Sequence, residues 1–125
     1  MVTKEFITEL KHKGNGDIAD LVKNQRDVGG INFILESLGQ LPSNFDSNFL
    51  YELLTHKHHQ VRLNEVKNIG KLNGKTDIKK LSALYKTEID TSVRCEIVSS
   101  IGRQRNAVIK ALLFVPHKND FHLNP

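Results

Sequence analysis

Four consecutive residues, His56-Lys57-His58-His59, form the densest group of side chains capable of chemistry in this sequence. His56 and His59 are three residues apart, and on a helix that spacing can present two imidazoles to one metal ion. No third ligand of a suitable type stands close in the sequence, since Glu52 lies one turn earlier and Cys95 belongs to a later segment. We therefore predict no metal site and no cofactor. The group is interpreted as an exposed, partly cationic loop in which His59 can hydrogen-bond phosphate.

The sequence contains no recognisable catalytic motif. Gly14-Asn15-Gly16 is not followed by Gly-Lys-Ser/Thr, so it does not match a phosphate-binding loop. The histidines belong to no local Ser/His/Asp or Cys/His motif. Cys95 is the only cysteine, which excludes an internal disulfide and fits a reducing cytosol. We predict a non-enzymatic cytoplasmic protein in which Cys95 is a half-buried apolar residue.

Positive charge is concentrated in one part of the chain. The net charge is +4, and residues 55–110 contain 12 Lys and Arg but only 5 Asp and Glu. Such an imbalance is typical of a surface that binds a polyanion. The aromatic residues, six Phe and two Tyr without Trp, argue against a platform on which nucleobases stack. Nucleic acid would therefore be bound through its phosphates, with strong salt dependence and little sequence specificity.

Two segments repeat each other 32 residues apart: residues 61–71 and 93–103 share Val, Arg, Val, Ile and Gly at fixed positions. A weaker copy precedes them at an offset of 31. A period of this size indicates a helical repeat protein, in which each unit is a hairpin too small to bury its own apolar face. Equivalent positions should form one stripe at helical spacing, namely Leu35/Val66/Val98, Leu38/Ile69/Ile101 and Gly39/Gly70/Gly102. We expect Gly70 to end its helix in a left-handed conformation, with a close approach of two helices as the alternative.

The second helix of each repeat has a short polar lead, Val-Arg, three residues, Val, two residues and Ile-Gly. This pattern resembles the HEAT family of repeats, chiefly over residues 49–103. The resemblance implies an all-α fold, an α-solenoid of antiparallel helical hairpins. It also implies that Arg62 and Arg94 form a structural ladder between repeats, paired with acids such as Asp90 or Glu65.

In HEAT-like arrays the second helices line the concave surface, and basic residues late on these helices are the best candidates for ligand contact. Lys71 stands in register with Arg103, so a basic strip is expected to cross two repeats. The predicted nucleic-acid-binding residues are Lys67, Lys71, Arg103 and Arg105, with His59 at the edge of the strip.

Apolar spacing and capping residues predict about eight helices and no strand. Gly29-Gly30 is interpreted as an interruption between two helices. The expected caps are Asp17, Asp46 or Ser47, Asp77, and Thr91 or Ser92, while Asn106 begins the last helix. The predicted helices cover residues 3–13, 18–25, 31–41, 49–54, 60–72, 78–86, 93–103 and 107–115.

We predict a single repeat domain. Residues 1–48 hold degenerate repeats, 49–74 and 77–105 hold the clear repeats, and 107–125 form an incomplete one. The segment 107–115 carries more apolar side chains than one hairpin partner can cover. We therefore expect the chain to be a fragment of a larger protein, or this segment to associate with a second copy or another partner. No apolar run is long enough to span a bilayer, so no membrane partner is expected.

These observations predict a non-enzymatic binding module for nucleic acid, as a fragment of a larger DNA-modifying or regulatory protein. A protein–protein interaction scaffold is the alternative. The chain is also similar, at the level of fold only, to HEAT-like alkylpurine DNA glycosylases, which makes such an enzyme a third hypothesis. The absence of Trp and of an acidic residue within the basic strip argues against that enzyme.

Overall fold

The computed structural model describes residues 2–13, 16–42, 45, 48–72 and 78–106, and the backbone of 107–114. Over these residues the protein is all-helical and contains no strand. None of the described helices is long and apolar enough to cross a membrane. There are seven α-helices and one short 3₁₀-helix: α1 Lys4–Lys11, α2 Asp17–Lys23, α3 Val28–Ser37, α4 Asn48–Glu52, the 3₁₀-helix Leu53–Thr55, α5 His59–Ile69, α6 Ile78–Thr87 and α7 Thr91–Phe114.

The helices pack in groups along the chain. α1 and α2 pack against each other and against α3. The 3₁₀-helix and α4 pack against α5, and α6 packs against α7. The last helix of each group, α3, α5 and α7, is called a second helix below. α5 lies between the other two second helices and contacts both. The apolar side chains that are at most 1 % exposed follow these contacts: Ile7, Ile34, Leu35, Leu38, Leu50, Val61, Val66, Ile69, Leu81, Val93 and Ile97.

Two hydrogen bonds recur between consecutive second helices. In the first, a side chain donates to a carbonyl in the preceding second helix: Asn68 Nδ2 to Leu35 O at 3.0 Å, and Ser100 Oγ to Val66 O at 3.3 Å. In the second, the acceptor is the glycine carbonyl just beyond the end of the preceding helix: Lys71 Nζ to Gly39 O at 2.8 Å, and Gln104 Nε2 to Gly70 O at 2.9 Å. The repeat in the sequence therefore corresponds to hydrogen bonds that recur from one second helix to the next.

Gly29 and Gly30 do not interrupt helical structure, contrary to the prediction, because both lie in the first turn of α3. α3 begins at Val28, and Asp27 is its N-cap, with its carboxylate accepting a hydrogen bond from Gly30 N at 2.8 Å. Each glycine disfavours the helix by about 1 kcal/mol, but a good N-cap contributes a similar amount. The cap and the packing of Ile34 and Leu35 in the core therefore outweigh the glycines.

α7 is one continuous helix where two were predicted. The expected break near Asn106 is absent, and α7 runs from Thr91 to Phe114. Gln104 is buried and bonded to Gly70 O, which holds the helix at the position where a turn was expected. Asp90 caps this helix, not Thr91 or Ser92, because its carboxylate accepts from Val93 N at 3.1 Å.

Of the remaining predicted caps, only Asp17 lies within the described residues. Asp17 is the first residue of α2 and not its cap, since Gly16 occupies the cap position with a φ of 85°. Asp46, Ser47 and Asp77 lie outside the described residues.

Val98 was predicted to be buried in line with Leu35 and Val66, and this is wrong, because its side chain is 58 % exposed. Val66 lies on the side of α5 that α7 covers, as the bond from Ser100 to Val66 O shows. Among the described residues no further helix covers the equivalent side of α7. The buried positions of α7 instead follow a narrow stripe that includes Val93 and Ile97.

Gly70 ends α5 as predicted, but its φ of −63° is right-handed. The alternative, a close approach of two helices, applies instead. A Cβ atom at Gly70 would lie 2.6 Å from Ser100 Oγ and 2.8 Å from the Arg103 guanidinium. The left-handed glycine is Gly39, with a φ of 57°. At Gly102, in the interior of α7, a Cβ atom would meet nothing within 4 Å.

Alanine should therefore have opposite effects at the two equivalent glycines. Gly70→Ala should destabilise the protein by about 1–3 kcal/mol through crowding between α5 and α7. Gly102→Ala should stabilise it by about 0.5–1 kcal/mol, because alanine favours a helix interior. Urea unfolding of both variants measures the difference, and effects of the same sign would contradict the close approach at Gly70.

Candidate functional site

The predicted binding residues fall at opposite ends of α5. Lys71 follows the last turn of this helix, whereas His59 is its first residue. At a rise of 1.5 Å per residue the two positions are roughly 18 Å apart along the helix axis. The structure therefore does not bring His59 next to Lys71.

Lys71 is held at the C-terminal end of α3. Its ammonium group donates to Gly39 O at 2.8 Å and to Asn68 Oδ1 at 3.0 Å. The ammonium of Lys11, on α1, donates to the neighbouring carbonyls Leu38 O at 2.6 Å and Gln40 O at 2.7 Å. Cations are favoured at this end of a helix because unpaired carbonyls give it a partial negative charge.

The ammonium groups of Lys11, Lys67 and Lys71 lie close enough to influence one another. Burial lowers the pKa of the Lys71 ammonium, and the charges of Lys11 and Lys67 lower it further. The ion pairs of the described residues leave all three of these lysines without a carboxylate partner. The three lysines are therefore a positively charged group whose described contacts are with carbonyl oxygens and not with carboxylates.

Arg103 lies against Gly70, the residue that precedes Lys71. Its Nη2 atom is 2.8 Å from Glu96 Oε2 and 3.0 Å from Ser100 Oγ, and half of its side chain remains exposed. We refer to Lys11, Lys67, Lys71 and Arg103 as the basic cluster. Arg105 is exposed, but residues two apart on a helix do not share a face. The structure thus separates Arg105 from Arg103.

Sequence reasoning missed Lys11. It lies in the part of the chain where the repeat pattern is weakest, and its contacts are with residues 27 and 29 positions away. Only its charge and its place in the last turn of α1 distinguish it in the sequence.

The histidine loop lies at the opposite end of α5. The rings of His56 and His58 have centroids 5.6 Å apart, and His58 N donates to His56 Nδ1 at 3.1 Å. Burial lowers the pKa of His56, and the positive charges of His58, Lys57 and Arg62 lower it further. Within the described ranges, no group of three or more His, Cys, Asp or Glu side chains is placed to hold a metal ion.

Arg62 and Arg94 both bind the loop between α6 and α7. The ion-pair partner of Arg62 is Glu88, not Asp90 or Glu65: Nε and Nη2 donate to the two carboxylate oxygens at 2.8 Å each. Burial disfavours the charged form of Glu88, but the hydrogen bonds from Arg62 outweigh it and lower the pKa of this carboxyl. Arg94 donates to Glu88 O at 3.3 Å and stacks on Tyr85, 4.5 Å from the ring centroid.

Two further side chains differ from expectation. Cys95 is exposed, not half-buried. Glu65 is fully buried in α5, and neither of its carboxylate oxygens has a hydrogen-bond partner among the described residues. Burial raises the pKa of Glu65 to about 9, so the group is protonated at neutral pH.

The chain was compared with models of protein families, with curated proteins and with solved structures, and none of them matches it.

Proposed function

We propose that this protein is a HEAT-like helical repeat module that binds nucleic acid through the basic cluster, without catalysing a reaction. The solenoid arrangement is supported by the two hydrogen bonds that recur from α3 to α5 and from α5 to α7. It is also supported by Arg62 and Arg94, which each donate to the carbonyl six residues earlier, at His56 and Glu88.

One observation carries the binding proposal: burial lowers the pKa of Lys71, the nearby charges of Lys11 and Lys67 lower it further, and none of the three lysines is paired with a described acid. A phosphate placed beside these ammonium groups would relieve their mutual repulsion. Lys71 and Lys11 each use two of their three protons on carbonyl or amide oxygens, which leaves one proton for a ligand. The carbonyl contacts fix the ammonium groups in place and reduce the entropy lost on binding.

Binding of this kind reads the phosphate backbone and not the base sequence. A few phosphate contacts release a few counterions, so the affinity should be modest and should fall steeply with salt. This behaviour suits a repeat module that contributes one part of a larger binding surface.

Removing two charges of the cluster should weaken binding. We expect Lys67→Gln/Lys71→Gln to reduce affinity for a fluorescent mixed-sequence DNA at low salt at least tenfold. The slope of log K against log[salt] should become shallower by roughly one to two units, since each lost phosphate contact removes about 0.7–0.9. Fluorescence anisotropy titrations at several salt concentrations measure both quantities.

The matched control is Lys4→Gln/Lys79→Gln, which removes the same charge from two exposed lysines near the N-terminal ends of α1 and α6. This control should bind as the unaltered protein does. Equal losses in the two double variants would show attraction to net charge alone and contradict a specific site. No binding of the unaltered protein at low salt would refute the nucleic-acid proposal.

A further inference from the structure

A second surface lies at the other end of α5, where the loop before this helix meets the loop between α6 and α7. The two loops border an open groove of about 280 Å³. This volume is just below the range of about 300–1,000 Å³ that holds a whole small-molecule ligand, so the groove suits part of a larger partner. Its lining combines apolar residues, among them Leu54, Leu84 and Ile89, with charged residues, among them Lys57, Arg62 and Glu88.

Ile89, at the rim of the groove, is the most exposed large apolar residue of the described chain, with 90 % of its surface free. Both of its neighbours are anchored. Glu88 is held by Arg62 and accepts a hydrogen bond from Asp90 N at 3.0 Å, and Asp90 in turn caps α7. The loop therefore holds the isoleucine in solvent, and little conformational freedom would be lost when a partner covers it.

The lining of the groove combines apolar side chains with one exposed lysine. Leu54 is 6 % exposed and Leu84 is partly buried. The acid of the lining, Glu88, is neutralised by its two bonds to Arg62. Lys57, which belongs to the histidine loop, is exposed and also lines the groove.

We propose that this groove is a docking site for an acidic segment of a partner protein, which inserts a leucine-like side chain beside Ile89 and places its carboxylates against Lys57. A second copy of this chain fits less well, because symmetrical docking at the groove would bring two Lys57 loops together. Like charges at an interface disfavour association. The site is separate from the basic cluster and goes beyond nucleic-acid binding.

Selection of short random peptides displayed on phage, with the full chain immobilised, tests the proposal. Enriched peptides should combine Asp or Glu with Leu or Ile. A synthetic copy of the most enriched peptide should bind at least tenfold more weakly to Lys57→Glu and to Ile89→Ser. The matched controls are Lys79→Glu and Ile78→Ser on α6, which should change its affinity less than twofold.

Three results would overturn the proposal. They are no enrichment above a blank surface, enriched peptides without acidic residues, and equal losses in the site and control variants. Sedimentation equilibrium provides the remaining test. A dimer that Ile89→Ser dissociates would assign the groove to a second copy and not to an acidic partner.

Discussion

Replacement of Glu65 by leucine should stabilise the folded protein by roughly 3 kcal/mol at pH 7. The pKa of this carboxyl is about 9 in the folded state against an ordinary value of 4.5. At pH 7 the unfolded chain therefore gains free energy by ionising Glu65, while the folded state must keep it protonated. Leucine has a similar size and removes both this term and an unpartnered polar group from the core.

The same group predicts how stability depends on pH. Between pH 4.5 and about 9 the folded protein retains a proton at Glu65 that the unfolded chain has released. Raising the pH therefore favours unfolding, by up to about 1.4 kcal/mol per pH unit. The stability associated with this group is fully present below pH 4.5 and is lost progressively up to the folded pKa.

Urea unfolding at several pH values between 5 and 8.5 measures both effects. Glu65→Leu should remove the loss of stability with rising pH and raise stability, and Glu65→Gln should remove the same loss while an unpartnered amide stays buried. Glu9→Leu, at an exposed position of α1, should leave the slope intact. A flat pH profile of the unaltered protein, together with a destabilised leucine variant, would show that Glu65 is ionised and paired.

The sequence predicted the helices of the clear repeats well. α5 and α6 lie within a few residues of the expected bounds, and the all-helical class is confirmed. These helices are predictable because their apolar spacing is regular and their ends carry local signals. The errors at α3 and α7 differ in origin. At α3 a local signal, the cap at Asp27, was overlooked, whereas at α7 a contact from Gln104 to Gly70, distant in the sequence, decides the boundary.

The surfaces were predicted less completely than the helices. Lys67, Lys71 and Arg103 were selected from the repeat register, and their role in binding stays a prediction. The contribution of Lys11 depends on a turn in space that leaves no pattern in the sequence. Glu65 was predicted as an ion-pair partner of Arg62 or Arg94, although the sequence carried one signal of its burial. Its equivalent 32 residues later is Ile97, and both side chains are fully buried.

Truncation of Arg62 should have the largest destabilising effect. In Arg62→Ala the carboxylate of Glu88, whose side chain is 1 % exposed, loses both of its charged hydrogen bonds. An uncompensated buried charge typically costs about 3–5 kcal/mol. Arg94→Ala, at the equivalent position 32 residues later, should cost less than about 1 kcal/mol, because Arg94 is exposed and contacts no carboxylate among the described residues. Urea unfolding of the two variants measures the contrast.

Two additional measurements separate loss of the ion pair from loss of packing. Arg62→Met/Glu88→Leu should recover most of the stability, since no charge is then left unpaired. The pKa of Glu88 is lowered in the folded protein, so the stability that this ion pair provides is present above pH 4.5 and is lost as the pH falls. The loss in Arg62→Ala should therefore shrink in acid. A loss that is independent of pH and not rescued by the double variant would mean that Arg62 acts through the packing of its aliphatic stem.

The rescued protein also tests the groove, since Ile89 is then no longer anchored by Glu88 and peptide affinity should fall although the fold is restored.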